Sequence, residues 1–408
     1  MSRIPLRWIA VGVFVLSSSL NYLDRQLLAA LAPTVRGEFQ LSNEQYGLVI
    51  SSFAIVYAVV APAAGWFIDR VGLSLGAGIA VALWSLAGSA TAWTRSFSGL
   101  LACRTVLGAA EAAGIPATGK ANATYLEPRE LALGTAFNQV GITLGSVAAP
   151  LIVVLMQPRY GWRSTFALCG ALGFLWIPLW WFTSKRVSSA RQSPAFTGGA
   201  QPLQPCPSGQ GHVGYLLRDR RFWGLALANA FVMTLYALWS NWTTLYFVQE
   251  RHMTQDQANR EFAWIPAVFA TAGGFFGGVL SYRWIRGGMN VLRARMRICW
   301  MSAVILLATA AVPLMPHPAL AAAAISLSFF WTLAISTNVY ALPIDLFGSA
   351  HAGLGVAALT CSFGLMTAFL SPWIGSVVDR VGFAPVCVAL SAMPLLGVAI
   401  LRWTLNAK

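Results

Sequence analysis

Four charged side chains sit deep inside stretches that are otherwise largely apolar. Asp24 and Arg25 lie in the run 8–35, and Arg104 and Glu111 in the run 97–122. A charge at the centre of a membrane helix costs about 2.5–3.5 kcal/mol on insertion scales. Such a residue is expected to face protein or water, and it marks a functional site by default. Neighbours on a helix point about 100° apart, so Asp24 and Arg25 cannot neutralise each other well. Each needs a partner on another helix, or a ligand. Arg104 and Glu111 share a helix face with about 10.5 Å of rise between them. That gap is long for a direct bridge. It leaves room for a small polar ligand or for partners on the first helix. The plainer alternative is a structural ion pair between helices.

Charge counting adds a mechanism. Arg25 and Arg104 balance Asp24 and Glu111, so the empty cluster is neutral. A carboxylate ligand adds one negative charge in a low-dielectric place, where an uncompensated charge is costly. A proton on Asp24 or Glu111 removes that excess and couples anion binding to proton uptake. Arginine suits the anion because its planar fork binds carboxylate through two parallel bonds. Tyr22 flanks the pair. Tyr57, Asn138, Gln139, Asn241 and Asn338 are candidate hydroxyl-binding groups, with Tyr236 and Trp242 beside them, although one amide or phenol in a membrane helix is as often inter-helix glue. Lys120 reads as a lysine snorkelling from the end of its helix. Gly108, Gly114 and Pro116 permit close helix approach and local unwinding.

These residues must be held by helices. The chain has 408 residues, 57% hydrophobic and only 10% charged, whereas a soluble domain carries about 25% charged residues. The segments are about 20 residues long and lack the alternation of barrel strands. An all-α polytopic membrane protein follows. The net charge of +14 falls between apolar segments, so it reads as topology signal and contact with anionic headgroups, not as a nucleic-acid surface. The six cysteines are scattered without a CxxC pair, which argues against a disulfide framework. The four histidines lie in loops or at span ends without ligand spacing. No metal or organic cofactor is expected.

Twelve spans are expected at about 8–34, 43–67, 73–94, 97–122, 129–157, 162–184, 222–249, 258–285, 293–314, 318–344, 350–377 and 384–404. Lys185, Arg186, Arg218, Arg220, Arg221, Arg286, Arg293, Arg295 and Arg297 fall on the side of the termini, against Arg36, Arg95, Arg159, Arg163, Arg251, Arg260 and Arg380 on the other. That bias places both termini in the cytoplasm. The start at Met1 reads as an uncleaved first span. Residues 187–214, rich in Ser, Gly, Pro and Gln, read as a flexible linker. The expected organisation is an N-terminal half 1–186, a linker 187–220 and a C-terminal half 221–408. The halves echo each other: Ala149-Pro150 matches Ser371-Pro372. Glu111 stands five residues before Pro116 and Asn338 five before Pro343. Gly141/Gly145 and Gly273/Gly277 are helix-packing pairs.

Two six-helix halves in parallel repeat resemble the architecture of major facilitator transporters. Gly65-x-x-x-Asp69-Arg70-x-Gly72 resembles their gating-loop motif, without the usual basic residues at 73–75; its second copy, 278–283, has Tyr282 where an aspartate is common. Within that superfamily NYLDRQLLAALAPTVRGEF, GWFIDRVG, RTVLGAAEAAGIPATGKA, YGWRSTFALCGALGFLW and WIRGGMNVLRAR resemble the anion:cation symporter family, most of all its hexuronate branch. The resemblance implies binding roles for Arg25 and Arg104, a coupling role for Glu111 and a proton-relay role for Asp24. It implies proton symport of a sugar acid such as glucuronate or galacturonate, through a bacterial inner membrane, by a monomer. Span seven, YALWSNWTTLYF, departs from the hexuronate pattern. Aldonate, glucarate, aromatic or monocarboxylate substrates are the alternatives. A drug/proton antiporter fits less well, because paired arginines repel cations. The string Gly72-Leu73-Ser74-Leu75-Gly76 imitates a hydrolase motif but has no strand before it and no placed histidine or acid.

Overall fold

The computed structural model describes residues 6–127, 130–191 and 213–406, and every regular element among them is helical. In chain order these are α1 (Leu6–Ala30), α2 (Ala32–Phe39), α3 (Asn43–Val71), α4 (Leu73–Ala90), α5 (Phe97–Glu111), α6 (Gly114–Tyr125), α7 (Leu131–Arg191), α8 (Val213–Arg218), α9 (Arg220–Val232), α10 (Thr234–Gln249), α11 (Gln255–Ala258), α12 (Ile265–Arg286), α13 (Val291–Leu306), α14 (Pro318–Phe347), α15 (Ser349–Val381) and α16 (Phe383–Asn406). A single π turn, Asn259–Ala263, leads into α12.

Eleven helical stretches among the described residues are long and apolar enough to cross a membrane. One of them, Leu133–Val187, runs for 55 residues. It contains two expected spans, joined at Gly161, whose backbone (φ 76°, ψ 166°) leaves the helical region. The other stretches match the remaining expected spans one to one, which restores the count of twelve. Pro62, Pro150, Pro178, Pro343, Pro372 and Pro394 lie inside helices, as membrane helices tolerate where neighbours satisfy the freed carbonyls. Polar side chains close several helix starts. Ser96 accepts from Gly99 N, Asp219 from Arg221 N, and Asn290 from Leu292 N and Arg293 N.

By its contacts the chain divides into two units, Met1–Leu27 with Val59–Ser208, and Leu28–Ala58 with Gly209–Lys408. This differs from the expected 1–186 and 221–408 in one segment. Leu28–Ala58, the end of the first span and the start of the second, groups with the C-terminal helices. Of the expected linker 187–220, residues 192–212 lie outside the described residues. Residues 187–191 continue α7, and 213–218 form α8.

In the first unit, α1 lies on α7 through glycines. A Cβ on Gly141 would come within 2.6 Å of Val15 O, and one on Gly145 would collide with Ser19 O. Ser19 Oγ donates to Gly141 O at 2.8 Å, and the buried Trp176 Nε1 donates to Val13 O at 2.6 Å. Without a hydrophobic drive in lipid, such small-residue contacts and polar bonds are what join helices. In the second unit Gly273 and Gly277 of α12 take the backbone of α14 at Phe330 and Ala334. There α10 is the most enclosed helix: Trp239, Trp242, Tyr246 and Phe247 are all buried.

Candidate functional site

The charged cluster forms within the first unit, on α1 and α5. Arg25 Nε donates to Glu111 Oε2 at 2.6 Å, and Glu111 has no exposed surface. The arginine finds the partner on another helix that its position demanded. Its guanidinium also lies 5.0 Å from the centre of the Tyr22 ring. The sequence spacing put Arg104 and Glu111 on one face, but the ion pair of Glu111 is with α1. Arg104 is 3% exposed and sits over Phe166 of α7, 5.6 Å from its centre.

Glu111 is the last residue of α5, and Ala112–Ala113 form the turn before α6. The reason is local. Pro116 has no N–H to give the carbonyl of Ala112, and its ring crowds that carbonyl. The helix is interrupted directly beyond the carboxylate, although Ala112 and Ala113 keep right-handed helical backbone angles. A negative side chain at a helix C-terminus opposes the helix dipole, and Arg25 offsets that cost here.

Asp24 is 5% exposed. Its Oδ2 would lie 3.7 Å from a Cβ on Gly88 of α4, a glycine that in turn faces Gly170 of α7. Asp24, Arg104 and Glu111 are buried and Arg25 is half-buried, all within the first unit. Asn21, which the sequence reading passed over, belongs with them: it is 6% exposed and bears on the Glu111 carboxylate. Neither its Nδ2 nor Glu111 Oε1 completes a hydrogen bond by strict geometry. The signal for Asn21 was its place one turn before Arg25.

The remaining candidates divide between the units. In the first, Asn138 Oδ1 accepts from Ser18 Oγ at 2.5 Å, which ties it to α1 one turn before Tyr22; Gln139 is half-buried beside it. In the second, Tyr57 is buried and stacks on Phe53. Asn241 Nδ2 donates to Ala237 O, and Tyr46 Oη donates to Asn241 O. Tyr236 meets Phe329 and Phe363 edge-on, and Trp242 meets Tyr46. Asn338 is fully buried, and its Nδ2 donates to Gly277 O and Ala334 O. That places Asn338 in the packing of α12 on α14.

Along 65–72, Gly65 packs near Pro116, the Arg70 guanidinium lies over Trp66, and Gly72 takes φ 92° to join α3 to α4. Asp69 pairs with Lys120 Nζ at 2.9 Å, and the same ammonium donates to Ile68 O. The snorkelling lysine thus reaches the exposed Asp69 in the last turn of α3, a tertiary contact invisible in the sequence of its own helix.

The sequence matches the family model described as Major Facilitator Superfamily over residues 14–369. It is 29% identical to a hexuronate transporter of Escherichia coli, covering 98% of this chain and 94% of that one. It is 27% identical to a galacturonate transporter of Dickeya chrysanthemi, covering 78% and 94%. A D-galactonate transporter of Escherichia coli is 23% identical, covering 96% and 94%. Among solved structures, a bacterial homologue of the human lysosomal transporter Spinster, in an inward-facing and unoccupied conformation, matches with a TM-score of 0.75 and 19% identity, covering 99% and 96%. That last likeness concerns the fold.

Proposed function

The chain belongs to the major facilitator superfamily, a family of multi-pass membrane transporters and not of enzymes, and on that premise we propose that it carries a sugar acid across a bacterial inner membrane together with a proton. Its relatives are named for hexuronate, galacturonate and galactonate, which supports an organic anion as the cargo. The reading rests on one observation, the enclosed Arg25–Glu111 pair with Arg104 and Asp24 beside it.

In this proposal the substrate carboxylate is received by Arg25 and Arg104. Its arrival competes with Glu111 for Arg25. A carboxylate that loses its arginine while buried is destabilised by several kcal/mol, and a proton on Glu111 or Asp24 relieves that. Tyr22, Asn138 and Gln139, in the same unit as the cluster, are assigned to substrate hydroxyls. Asn338 remains a candidate through its Oδ1, since only its Nδ2 is held by backbone carbonyls. Gly65, Asp69, Arg70 and Gly72 serve gating. Both termini are assigned to the cytoplasm from the arginine bias. The proton is the sole coupling species, and one chain suffices.

The test is uptake into proteoliposomes of labelled glucuronate and galacturonate against galactonate, glucarate and a monocarboxylate, with and without a pH gradient. Hexuronate accumulation driven by outside acid is expected. Equal uptake in both conditions removes the proton coupling. Preference for galactonate moves the substrate class to aldonates. Transport of organic cations alone overturns the anion reading.

A further inference from the structure

The octapeptide Gly-x-x-x-Asp-Arg-Val-Gly occurs twice, at 65–72 and again at 375–382. The second copy ends α15 as the first ends α3, and its last glycine, Gly382, takes φ 77° before α16 as Gly72 does before α4. Their places differ in a telling way. The first copy is the C-terminal end of α3. The second holds the N-terminal end of the same helix. Asp379 Oδ1 accepts from Asn43 N at 3.0 Å and from Asn43 Nδ2 at 2.8 Å, and Oδ2 accepts from Glu44 N at 3.0 Å. Those backbone N–H groups have no partner inside a helix, and a carboxylate there also meets the positive end of the dipole. With 29 residues, α3 is about 43 Å long, more than the hydrocarbon core of a bilayer.

The side chains of the second copy explain how it grips. Gly375 is one turn before Asp379, on the same face. A Cβ there would collide with the Asn43 carbonyl and lie 2.6 Å from Glu44 Cα, so this glycine admits the start of α3 and the aspartate then caps it. The anchor is firm, because Glu250, following α10, accepts from Phe383 N at 2.9 Å just past Gly382. Asp379 keeps an exposed flank. Water can replace its bonds, so the contact breaks and reforms at little desolvation cost.

The rest of Leu28–Ala58 is held in the same manner. Thr34 N and Oγ1 both donate to Gln255 Oε1, Asn259 Nδ2 to Ala30 O, and Gln249 Nε2 to Asn43 Oδ1. Deeper along α3, Gly47 meets the backbone of Ser371–Pro372, and Ser51 Oγ donates to Ala368 O. Polar bonds and small residues hold the segment beside one large contact, Tyr46, which is buried against Trp242 and donates to Asn241 O. We propose that residues 375–382 form a latch: Asp379 clasps the start of α3 and holds the segment Leu28–Ala58 on the C-terminal helices, and its release frees that segment as one piece. The latch rests on the transport reading only for its purpose, as a moving part of the transport cycle.

Hydrogen exchange of the substrate-free protein in nanodiscs tests it, comparing wild type with Asp379→Asn and Asn43→Ala. A latch predicts that Asp379→Asn accelerates exchange about fivefold or more both at Asn43–Glu44 and at Thr34, although Asp379 makes no hydrogen bond to Thr34. Asn43→Ala, which leaves two of the three bonds, should do the same to a smaller extent. Faster exchange at 43–44 alone makes Asp379 a local cap and overturns the proposal, as does no change at either place. Should Asp379→Asn unfold, exchange rises in α7 as well, and Asn43→Ala then decides by the same two sites. No substrate is present, so a wrong cargo leaves this result standing, and a failed latch leaves the uptake result standing.

Discussion

Glu111 and Asn338 occupy matching places in the two halves, each five residues before a proline, and the chain treats them in opposite ways. Glycines 108 and 114 surround the first site, and α5 ends at Glu111. Near Asn338 the sequence Val339-Tyr340-Ala341-Leu342 has no glycine, and α14 runs unbroken through Pro343 to Phe347. Glu111 thus stands at a helix end, paired to a charge on another helix. Asn338 stands in mid-helix, bonded to backbone. In the proposed function the chemistry goes to the copy whose helix is interrupted. The Nδ2 of the neutral copy serves packing, and its Oδ1 is buried without a partner among the described residues.

The strongest way to break this comparison is Arg25→Lys. Charge is kept, but a lysine cannot keep Nε on Glu111 while presenting a fork to substrate. Affinity in tryptophan-quenching titrations should weaken by about ten- to a hundredfold. Wild-type affinity would place substrate binding elsewhere. Glu111→Gln comes next. It imitates the protonated carboxyl, so exchange of internal for external substrate should survive while pH-driven accumulation falls to equilibrium. Retained accumulation would move the proton to Asp24 or off the cluster. The smallest effect is expected from Asn338→Ala, which should lower thermal stability by about 1–3 kcal/mol for the amide bonds lost and leave affinity and accumulation within about twofold. If it instead weakens binding with unchanged melting, the neutral copy is also a ligand site.

Much of this was legible in the residues. Length and apolarity gave the spans, because a bilayer imposes both. The cost of buried charge marked Asp24, Arg25, Arg104 and Glu111. Their pairing was less legible. Helix spacing reports which residues share a face on one helix, and the partner of Glu111 came from another. Lys120 and Asp69 lie 51 residues apart, and nothing in either helix announces their contact. Asp379 is different: its octapeptide is plain in the sequence but does not stand at the repeat-related position 278–283, where the aspartate is absent. Leu28–Ala58 grouped with the C-terminal helices for a similar reason. Hydrogen bonds to backbone, such as those at Asn43 and Ala30, carry no side-chain pattern to read.

The glycine contact between α7 and α1 bears on how such a protein diversifies. Val15 O, Ser19 O and Leu23 N lie directly against Gly141 and Gly145, so the backbone that carries Asn21, Tyr22, Asp24 and Arg25 cannot slide or turn without a clash. A change at this site must then come by exchanging side chains on a fixed helix. Substitution is expected to be tolerated at exposed positions such as Leu144 and not along one line of two glycines.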